Sequence, residues 1–304
     1  MRILSLLPAA TEIIFLLGLE KNLVGVSHEC DYPAQVKILP KVTSSPVSNL
    51  MSSLEIDKAV KKLSHKGPGI FHINSKVLGK LKPDLILTQE LCEVCAVGFN
   101  KVKKAARILD SDVKIISLEP ESVEDILDNI KTVGDYTNSR ARSRKIVQKL
   151  RKKIDFLASH ISPHTSPKPK VLIIEWLDPV MIAGHWVPEM VELAGGECLL
   201  SNKGEKSVYI TPKDLKKLSP DIIIFAPCGF DISRTLKEKK LINDLRLMIN
   251  ESEFYLMDGN SFLTRPGPRV IDGVEIFSEI IHPEILQRKH TKKDWQSLKK
   301  LQTL

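Results

Sequence analysis

Cysteine, histidine and carboxylate side chains are concentrated in two short segments of this chain. The first segment is HECDYP, residues 28–33, and the second is TQELCEVC, residues 88–95. Thiolate and imidazole groups are the usual protein ligands of zinc and iron. The two segments therefore indicate capture of a metal ion or of a ligand that contains one.

The spacing of these residues leaves several interpretations open. Cys92 and Cys95 form half of a zinc or iron–sulfur pattern, and the second C-x-x-C is missing. His28 and Cys30 would complete a Cys₃His site for zinc or iron if the two segments meet. The alternatives are a redox pair, packed core thiols, or one axial ligand to the metal of a corrinoid or a haem.

Short apolar runs precede both segments and read as buried strands, Leu23–Val26 and Leu85–Leu87. Such runs alternate with helical stretches, which predicts an α/β protein with parallel sheets. Ligands of open α/β sheets bind outside the carboxyl ends of the strands. The candidate ligand contacts in the first half are Pro8, His28, Glu29, Tyr32, Gln89 and Glu90.

The second half repeats the architecture without a close sequence repeat. Trp176 ends a predicted strand that begins at Val171, the pair His185-Trp186 precedes a predicted helix, and Cys228 follows the strand Ile222–Phe225. Aromatic rings at strand ends could form a ligand platform, and burial in the core is the competing interpretation. Trp176, His185, Trp186 and Cys228 are therefore further candidate ligand contacts.

The length and charge of the chain suggest how it is organised. With 304 residues it exceeds the usual size of a single core, so two lobes are expected. We predict an N-terminal lobe over 1–137, a bridging helix over 138–162, a C-terminal lobe over 163–286 and a basic tail over 287–304. The net charge of +8 is concentrated in the helix and the tail, and no nucleic-acid motif accompanies it. We expect no nucleic-acid partner.

The N-terminus and the common catalytic motifs bear on compartment and function. Met1-Arg2 runs directly into a predicted strand without the pattern of a signal peptide. This predicts a cytoplasmic protein, unless a leader has been removed. The chain contains no G-x-S-x-G, P-loop or H-E-x-x-H motif, which argues against common enzyme chemistry.

The chain resembles the cobalamin- and iron-siderophore-type substrate-binding proteins of ABC transporters, most closely the cobalamin branch. Three runs carry the resemblance: RILSLLPAATEIIFLLGL (2–19), LVGVSHECDYP (23–33) and RPGPRVIDGVEIFSEIIHPE (265–284). It covers about residues 1–286. It implies two Rossmann-like lobes with parallel sheets, bridged by one long rigid interdomain helix, with the ligand held in the cleft between the lobes.

The resemblance also implies a function. The protein would be a monomeric, non-catalytic binding protein for a corrinoid such as cobalamin, or for a similar metal chelate. The region of Phe262 would line the pocket, and Arg265 could hold carboxylate or amide groups of the ligand. An ABC permease is the implied partner, docking on an acidic residue of each lobe. Asp214 fits this role, whereas the counterpart near Asn100 lies among lysines, which counts against docking. The alternative function is a cytoplasmic Cys/His metal-centre or redox protein that reuses the fold.

Overall fold

The structure is a computed structural model, and it describes residues 1–65, 70–89, 99–107, 112–161, 167–249 and 251–298. The chain divides into two compact units. The first unit contains Met1–Ser48, Lys58–Pro120 and Glu124–Val147. The second contains Asn49–Asp57, Glu121–Val123 and Gln148–Leu304. This division does not test the predicted boundaries of the lobes and of the tail, which stay a prediction.

The first unit is built on a parallel sheet whose strands lie in the order β2-β1-β5-β6. The short strands β3 and β4 pair with each other, antiparallel and outside this sheet. The elements of the first unit are β1 Ile3–Ser5, α1 Pro8–Leu16, β2 Leu23–Val26, β3 Thr43–Ser44, α2 Ser53–His65 (its first residues belong to the second unit), β4 His72–Ile73, α3 Ser75–Leu81, β5 Leu85–Thr88, α4 Phe99–Ala106, β6 Lys114–Ser117 and α5 Val123–Tyr136.

The apolar runs form strands here because both faces of the sheet are covered. Leu4 and Ile86 are fully buried on neighbouring strands, and they pack with Leu78 of α3 and Val102 of α4. Each of these side chains contributes roughly 1.5–3 kcal/mol by leaving water.

The second unit has a mixed sheet in the order β10-β8-β7-β11-β12-β13, with β9 beside β7. Strands β7, β11 and β12 are parallel to one another, whereas β8, β10 and β13 run antiparallel to their neighbours. The elements of the second unit are β7 Lys170–Leu177, β8 Val180–Ile182, α7 Val187–Leu193, β9 Glu197–Cys198, β10 Val208–Tyr209, α8 Pro212–Leu215, β11 Ile222–Phe225, α9 Ile232–Thr235, α10 Lys239–Met248, β12 Glu253–Met257, α11 Gly259–Phe262, α12 Val270–Ile281 and β13 Trp295–Ser297.

The predicted α/β class and the long helix are confirmed. That helix, α6, covers Arg140–Ile161 and is the longest in the described residues. Its residues 140–147 belong to the first unit and the rest belong to the second. No helix in the described ranges is both long and apolar enough to cross a membrane.

Three local features bear on the sites below. The first helix begins at Pro8, whose missing amide hydrogen is harmless in the first helical turn. A 3₁₀ turn at Leu236–Glu238 separates α9 from α10. Residues Trp295–Ser297, within the predicted basic tail, form β13.

A buried ion pair secures residues 49–57 to the second unit. Arg234 Nη2 lies 2.7 Å from Glu238 Oε1, and both side chains are about nine-tenths buried. Arg234 also donates to the carbonyls of Asn49 and Met51, while Glu238 accepts from the backbone and hydroxyl of Ser53. Because it also donates to two backbone carbonyls, the guanidinium is stabilised by more than its ion partner.

Replacing Arg234 by leucine should lower the free energy of unfolding by about 3–5 kcal/mol, because a buried carboxylate loses its cation. The measurement is urea unfolding at constant pH. The matched control is Lys217→Met in the exposed Asp214–Lys217 pair, which should change stability little because water screens that pair. Equal losses in the two variants would contradict the assignment.

Candidate functional site

The carboxyl ends of the strands in the first unit carry most of the candidate contacts. We call residues 5–11, 27–32, 88–89 and 117–119 the first-unit edge. Pro8 and Gln89 are buried here, and Glu29 and Tyr32 are exposed. The edge therefore presents only part of the predicted set to solvent in this structure.

A cluster of buried hydroxyl groups holds Cys30 in the first-unit edge. Thr11 Oγ1 lies 2.8 Å from Ser5 Oγ and 3.1 Å from Cys30 Sγ, and the Ser5 hydroxyl donates to the carbonyl of Leu7. Cys30 is 2 % exposed. Its thiol is thus packed beneath the edge, in contact with the Thr11 hydroxyl.

The ring of His28 is held at Nδ1, which lies 2.7 Å from Thr43 Oγ1. Its Nε2 is buried and forms no hydrogen bond with the described residues, although Glu29 Oε1 lies 3.1 Å away. The ring of Phe71 packs against the imidazole at a centroid distance of 5.5 Å. A metal bound at Nδ1 would have to displace the Thr43 hydroxyl, and Nε2 is not accessible from solvent in this structure.

Tyr32 is the large aromatic residue that the first-unit edge exposes, with 48 % of its surface accessible. The loop that carries it is anchored, because Lys41 Nζ donates to the carbonyl of Cys30 at 2.8 Å and His28 N donates to Thr43 Oγ1 at 3.0 Å. An exposed ring on an anchored loop can contact a ligand at low entropic cost.

The metal cluster predicted from His28, Cys30, Cys92 and Cys95 finds no support in the residues that the structure describes. Glu90, Cys92 and Cys95 lie outside those residues. Within the described ranges, no three histidine, cysteine or acidic side chains come together in a way that could hold a metal ion.

In the second unit, the last residues of β7 pack with the loops that follow β11 and β12. We call residues 175–177, 226–231 and 258–265 the second-unit edge. The amide of Cys228 donates to Glu175 O at 2.9 Å, and that of Asn260 donates to Phe230 O at 3.1 Å. A Cβ atom at Gly259 would strike the carbonyls of Ala226 and Pro227, so glycine is required there. Cys228 is partly exposed on this edge.

The two tryptophans at or beside this edge, Trp176 and Trp186, are buried and pack against its residues. Trp176 is 8 % exposed and packs on Phe230 at a ring distance of 5.2 Å. Trp186 is 6 % exposed, and its Nε1 donates to Leu263 O at 2.8 Å. Both rings shape the second-unit edge from beneath, and their predicted role as ligand contacts stays a prediction.

His185 adopts a left-handed backbone conformation with φ of 56°, and its amide donates to Glu205 O at 2.5 Å. Burial lowers the pKa of His185, and the positive charge of Lys206 lowers it further. The ring is therefore neutral near pH 7, and a neutral ring is the form that binds metals.

Phe262 and Arg265 are both partly exposed on the second-unit edge. Phe262 ends α11, whose first amide groups are capped by Asp258 through a 2.8 Å bond from Ser261 N. Burial raises the pKa of Asp258. The guanidinium of Arg269 lies 5.8 Å from the centre of the Phe262 ring.

An ion cluster lies beside Phe262. Glu275 accepts from Lys153 at 2.7 Å, from Lys289 at 2.9 Å and from His290 at 3.3 Å. The hydrogen bond from His290, together with the two lysines, holds the pKa of Glu275 well below its usual range. The His290 ring also meets the Phe262 ring edge-on at 6.0 Å.

Sequence reasoning missed Thr43, Asp258 and His290 as parts of these edges. Asp258 could have been recognised, because D-G-N-S after an apolar strand is a helix-start pattern. Thr43 and His290 carry no such signal, since each reaches the edge from a segment distant along the chain.

A family model described as periplasmic binding protein matches residues 3–247. The chain belongs to the periplasmic binding protein family. The predicted family and the absence of enzymatic activity are thereby confirmed, because members of the family are substrate-binding proteins of ABC transporters.

Relatives and solved structures agree with this assignment. A vitamin B12-binding protein of Vibrio cholerae is 24 % identical over 281 residues, covering 90 % of this chain and 86 % of that protein. An uncharacterized ABC transporter substrate-binding lipoprotein of Bacillus subtilis, YvrC, is 23 % identical over 93 % of this chain and 80 % of its own.

Solved structures show the same fold. The crystal structure of a periplasmic heme-binding protein of Pseudomonas aeruginosa has a TM-score of 0.71 at 19 % identity and covers 97 % of both chains. The periplasmic vitamin B12-binding protein BtuF of Vibrio cholerae has a TM-score of 0.68 at 20 % identity, covering 93 % of this chain and 96 % of that one. The prediction of two α/β lobes of this type is confirmed.

The prediction of a cytoplasmic protein is corrected by these relatives. They are named as periplasmic proteins or as a lipoprotein of a transporter, which places their function outside the cytoplasm. The cytoplasmic metal-centre or redox protein, the alternative function, finds no support among them.

We expect His290 to stabilise the fold below neutral pH. Burial alone would lower the pKa of His290, but Glu275, Glu279 and Asp272 raise it above 6.5. A raised histidine pKa adds stability that is complete below pH ~6.5 and is lost as pH rises through the higher folded-state value. The charged groups around the ring are Lys153, Asp272, Glu275, Glu279, Lys289 and Asp294.

The measurement compares urea unfolding of the wild type and of His290→Ala between about pH 6 and pH 9. The wild type should lose more stability across this interval than the variant does. Parallel pH profiles would show that His290 does not gain charge on folding.

Proposed function

We propose that this protein captures a corrinoid, or a closely related metal chelate, outside the cytoplasm and delivers it to an ABC permease without chemical reaction. The observation that carries the proposal is the match to vitamin B12-binding proteins over 90 % of the chain. Haem is the second candidate ligand, because structures of heme-binding proteins share the fold.

The two edges offer chemistry suited to such a ligand. A corrin or porphyrin is a large ring with polar substituents at its rim, so it needs apolar contact area and donors for amide or carboxylate groups. Tyr32 and Phe262 offer exposed or partly exposed rings, and Arg265 offers a guanidinium with planar paired donors.

We propose that the chelate is held by side-chain contacts rather than by a bond from protein to metal. The Nδ1 of His28 is engaged by Thr43, its Nε2 is buried, and Cys30 is buried against Thr11. An axial bond from Cys30 or from Nδ1 would cost these interactions, and a chelate would reach Nε2 only after the ring is uncovered.

Docking on a permease is proposed for the second unit through Asp214. Its carboxylate is exposed and charged, since the Lys217 and Thr211 hydrogen bonds lower its pKa. Lys217 would compete with an arginine of the permease for this carboxylate. The side chain of Asn100, the predicted counterpart, lies outside the described residues.

The test is a calorimetric titration of reduced, purified protein with aquocobalamin, cobinamide and hemin, because side-chain contacts alone need not change the absorbance of the chelate. Binding of a corrinoid at near-equal stoichiometry supports the proposal, and binding of hemin alone shifts the assignment to haem. No binding of any of the three would refute the proposed function.

Tyr32→Ala should weaken binding by about tenfold, because an exposed aromatic contact is lost from an anchored loop. The matched control is Tyr136→Ala. Tyr136 is also partly exposed in the first unit, but it packs on Lys114 at the opposite, amino edge of the sheet. Equal affinities of Tyr32→Ala and the wild type would remove Tyr32 from the site.

His28→Ala should bind aquocobalamin with the affinity and the absorbance spectrum of the wild-type complex, since no axial bond is proposed. The measurement is the same titration, followed by the spectrum of the saturated complex. A wild-type complex with a shifted corrin spectrum that His28→Ala loses, with folding intact by circular dichroism, would instead identify His28 as an axial ligand.

A further inference from the structure

The segment Arg288–Leu298, which we call the C-terminal clasp, lies beyond the part of the chain that the family model matches. It pairs with β12 through Tyr255–Ser297, Leu256–Gln296 and Met257–Trp295. The pairing extends one residue further, because Asp258 N donates to Asp294 O at 2.9 Å. The clasp therefore follows β12 to the point where the second-unit edge begins.

The clasp is fixed to α12 as well as to β12. Trp295 is 8 % exposed, and its Nε1 donates to Glu279 Oε2 at 2.7 Å. Glu279 also accepts from the backbone of Lys289 at 2.7 Å and of His290 at 3.3 Å. The guanidinium of Arg288 lies 3.9 Å from the centre of the Trp295 ring. One buried carboxylate thus orders both ends of the turn that carries His290.

This arrangement places His290 directly against Phe262. The imidazole meets the phenyl ring edge-on at 6.0 Å, within the range of favourable aromatic pairs. Asp258, which the clasp holds through its amide, caps the short helix α11 that ends at Phe262. The clasp thus contacts both ends of α11. At the beginning, the carbonyl of Asp294 accepts the amide of Asp258, and at the end, the ring of His290 packs against Phe262.

We propose that the C-terminal clasp sets the position of Phe262, and that His290 is a positioning residue for ligand binding through its ring contact with Phe262. The inference rests on the proposed function, in which Phe262 contacts the chelate. It assigns part of the ligand affinity to a segment that acts through Phe262.

Two substitutions at one position separate this role from a merely structural one. His290→Gln can keep a hydrogen bond to Glu275 but removes the ring, whereas His290→Phe keeps a ring and removes the hydrogen bond. We expect His290→Gln to weaken binding of aquocobalamin by about three- to thirtyfold, the usual range for a residue acting through another. We expect His290→Phe to bind within about twofold of the wild type, even though it is the less stable variant, because an aromatic pair is retained.

Arg246→Met is the matched control for the clasp. Arg246 donates to Leu298 O at 3.2 Å and stacks on Phe254, at the end of β12 remote from Phe262. This variant should lose stability and keep its affinity for aquocobalamin. If Arg246→Met and His290→Gln weaken binding equally, affinity follows stability and the proposal is overturned.

Hydrogen–deuterium exchange of the unliganded protein tests the clasp without any ligand. His290→Gln should speed exchange in the peptide that covers residues 258–264, and His290→Phe should not. If exchange there is unchanged in His290→Gln, the clasp does not position Phe262, whatever the titration shows. If exchange changes as expected but neither aquocobalamin nor hemin binds the wild type, the positioning of Phe262 stands and the proposed function, together with the role in affinity, is wrong.

Discussion

Backbone amides just beyond the ends of parallel strands must find hydrogen-bond acceptors. In both units, the loops after the strands are fixed by the acceptors that these amides find. An unpaired buried amide costs about as much as a lost hydrogen bond. In the first unit, Ser27 N donates to Ser5 O at 2.8 Å and Leu118 N donates to Thr88 O at 2.9 Å. In the second, Ala226 N donates to Ile174 O at 3.0 Å. The ladder of each sheet thus continues past its strands and fixes the loops that form the edges.

The amide beyond β12 cannot be paired in the same way. Its parallel neighbour β11 lies on one side, and the other side of β12 would be an exposed sheet edge. β13 covers that side, and the carbonyl of Asp294 accepts the amide of Asp258. Residues 294–298 of the predicted basic tail therefore complete the sheet.

The sequence predicted the elements well where burial dictates their composition. The runs at Leu23–Val26 and Ile222–Phe225 form strands with the predicted bounds, since a strand covered on both faces must be continuously apolar. Strands of two residues, such as Thr43–Ser44, escaped prediction because so few residues carry no periodicity.

The candidate site was harder to predict, because the same residue types serve packing and binding. Cys30 was chosen for its thiol, yet the structure buries it beside Thr11. Trp186 was chosen for its ring, and its indole nitrogen is committed to Leu263 O. Sequence spacing placed the candidates at the carboxyl ends of strands, but the direction in which each side chain points depends on partners such as Thr43, which no local pattern reveals.

The ion cluster around Glu275 explains how a single histidine can serve both stability and position. Glu275 is already paired with Lys153 and Lys289, so its charge is compensated without His290. The imidazole can therefore lose its proton without leaving Glu275 as an uncompensated buried charge, which would be the costly outcome. Its contact with Phe262 is a contact of ring with ring, and it does not require the proton. The protonation of His290 and its contact with Phe262 can therefore change independently.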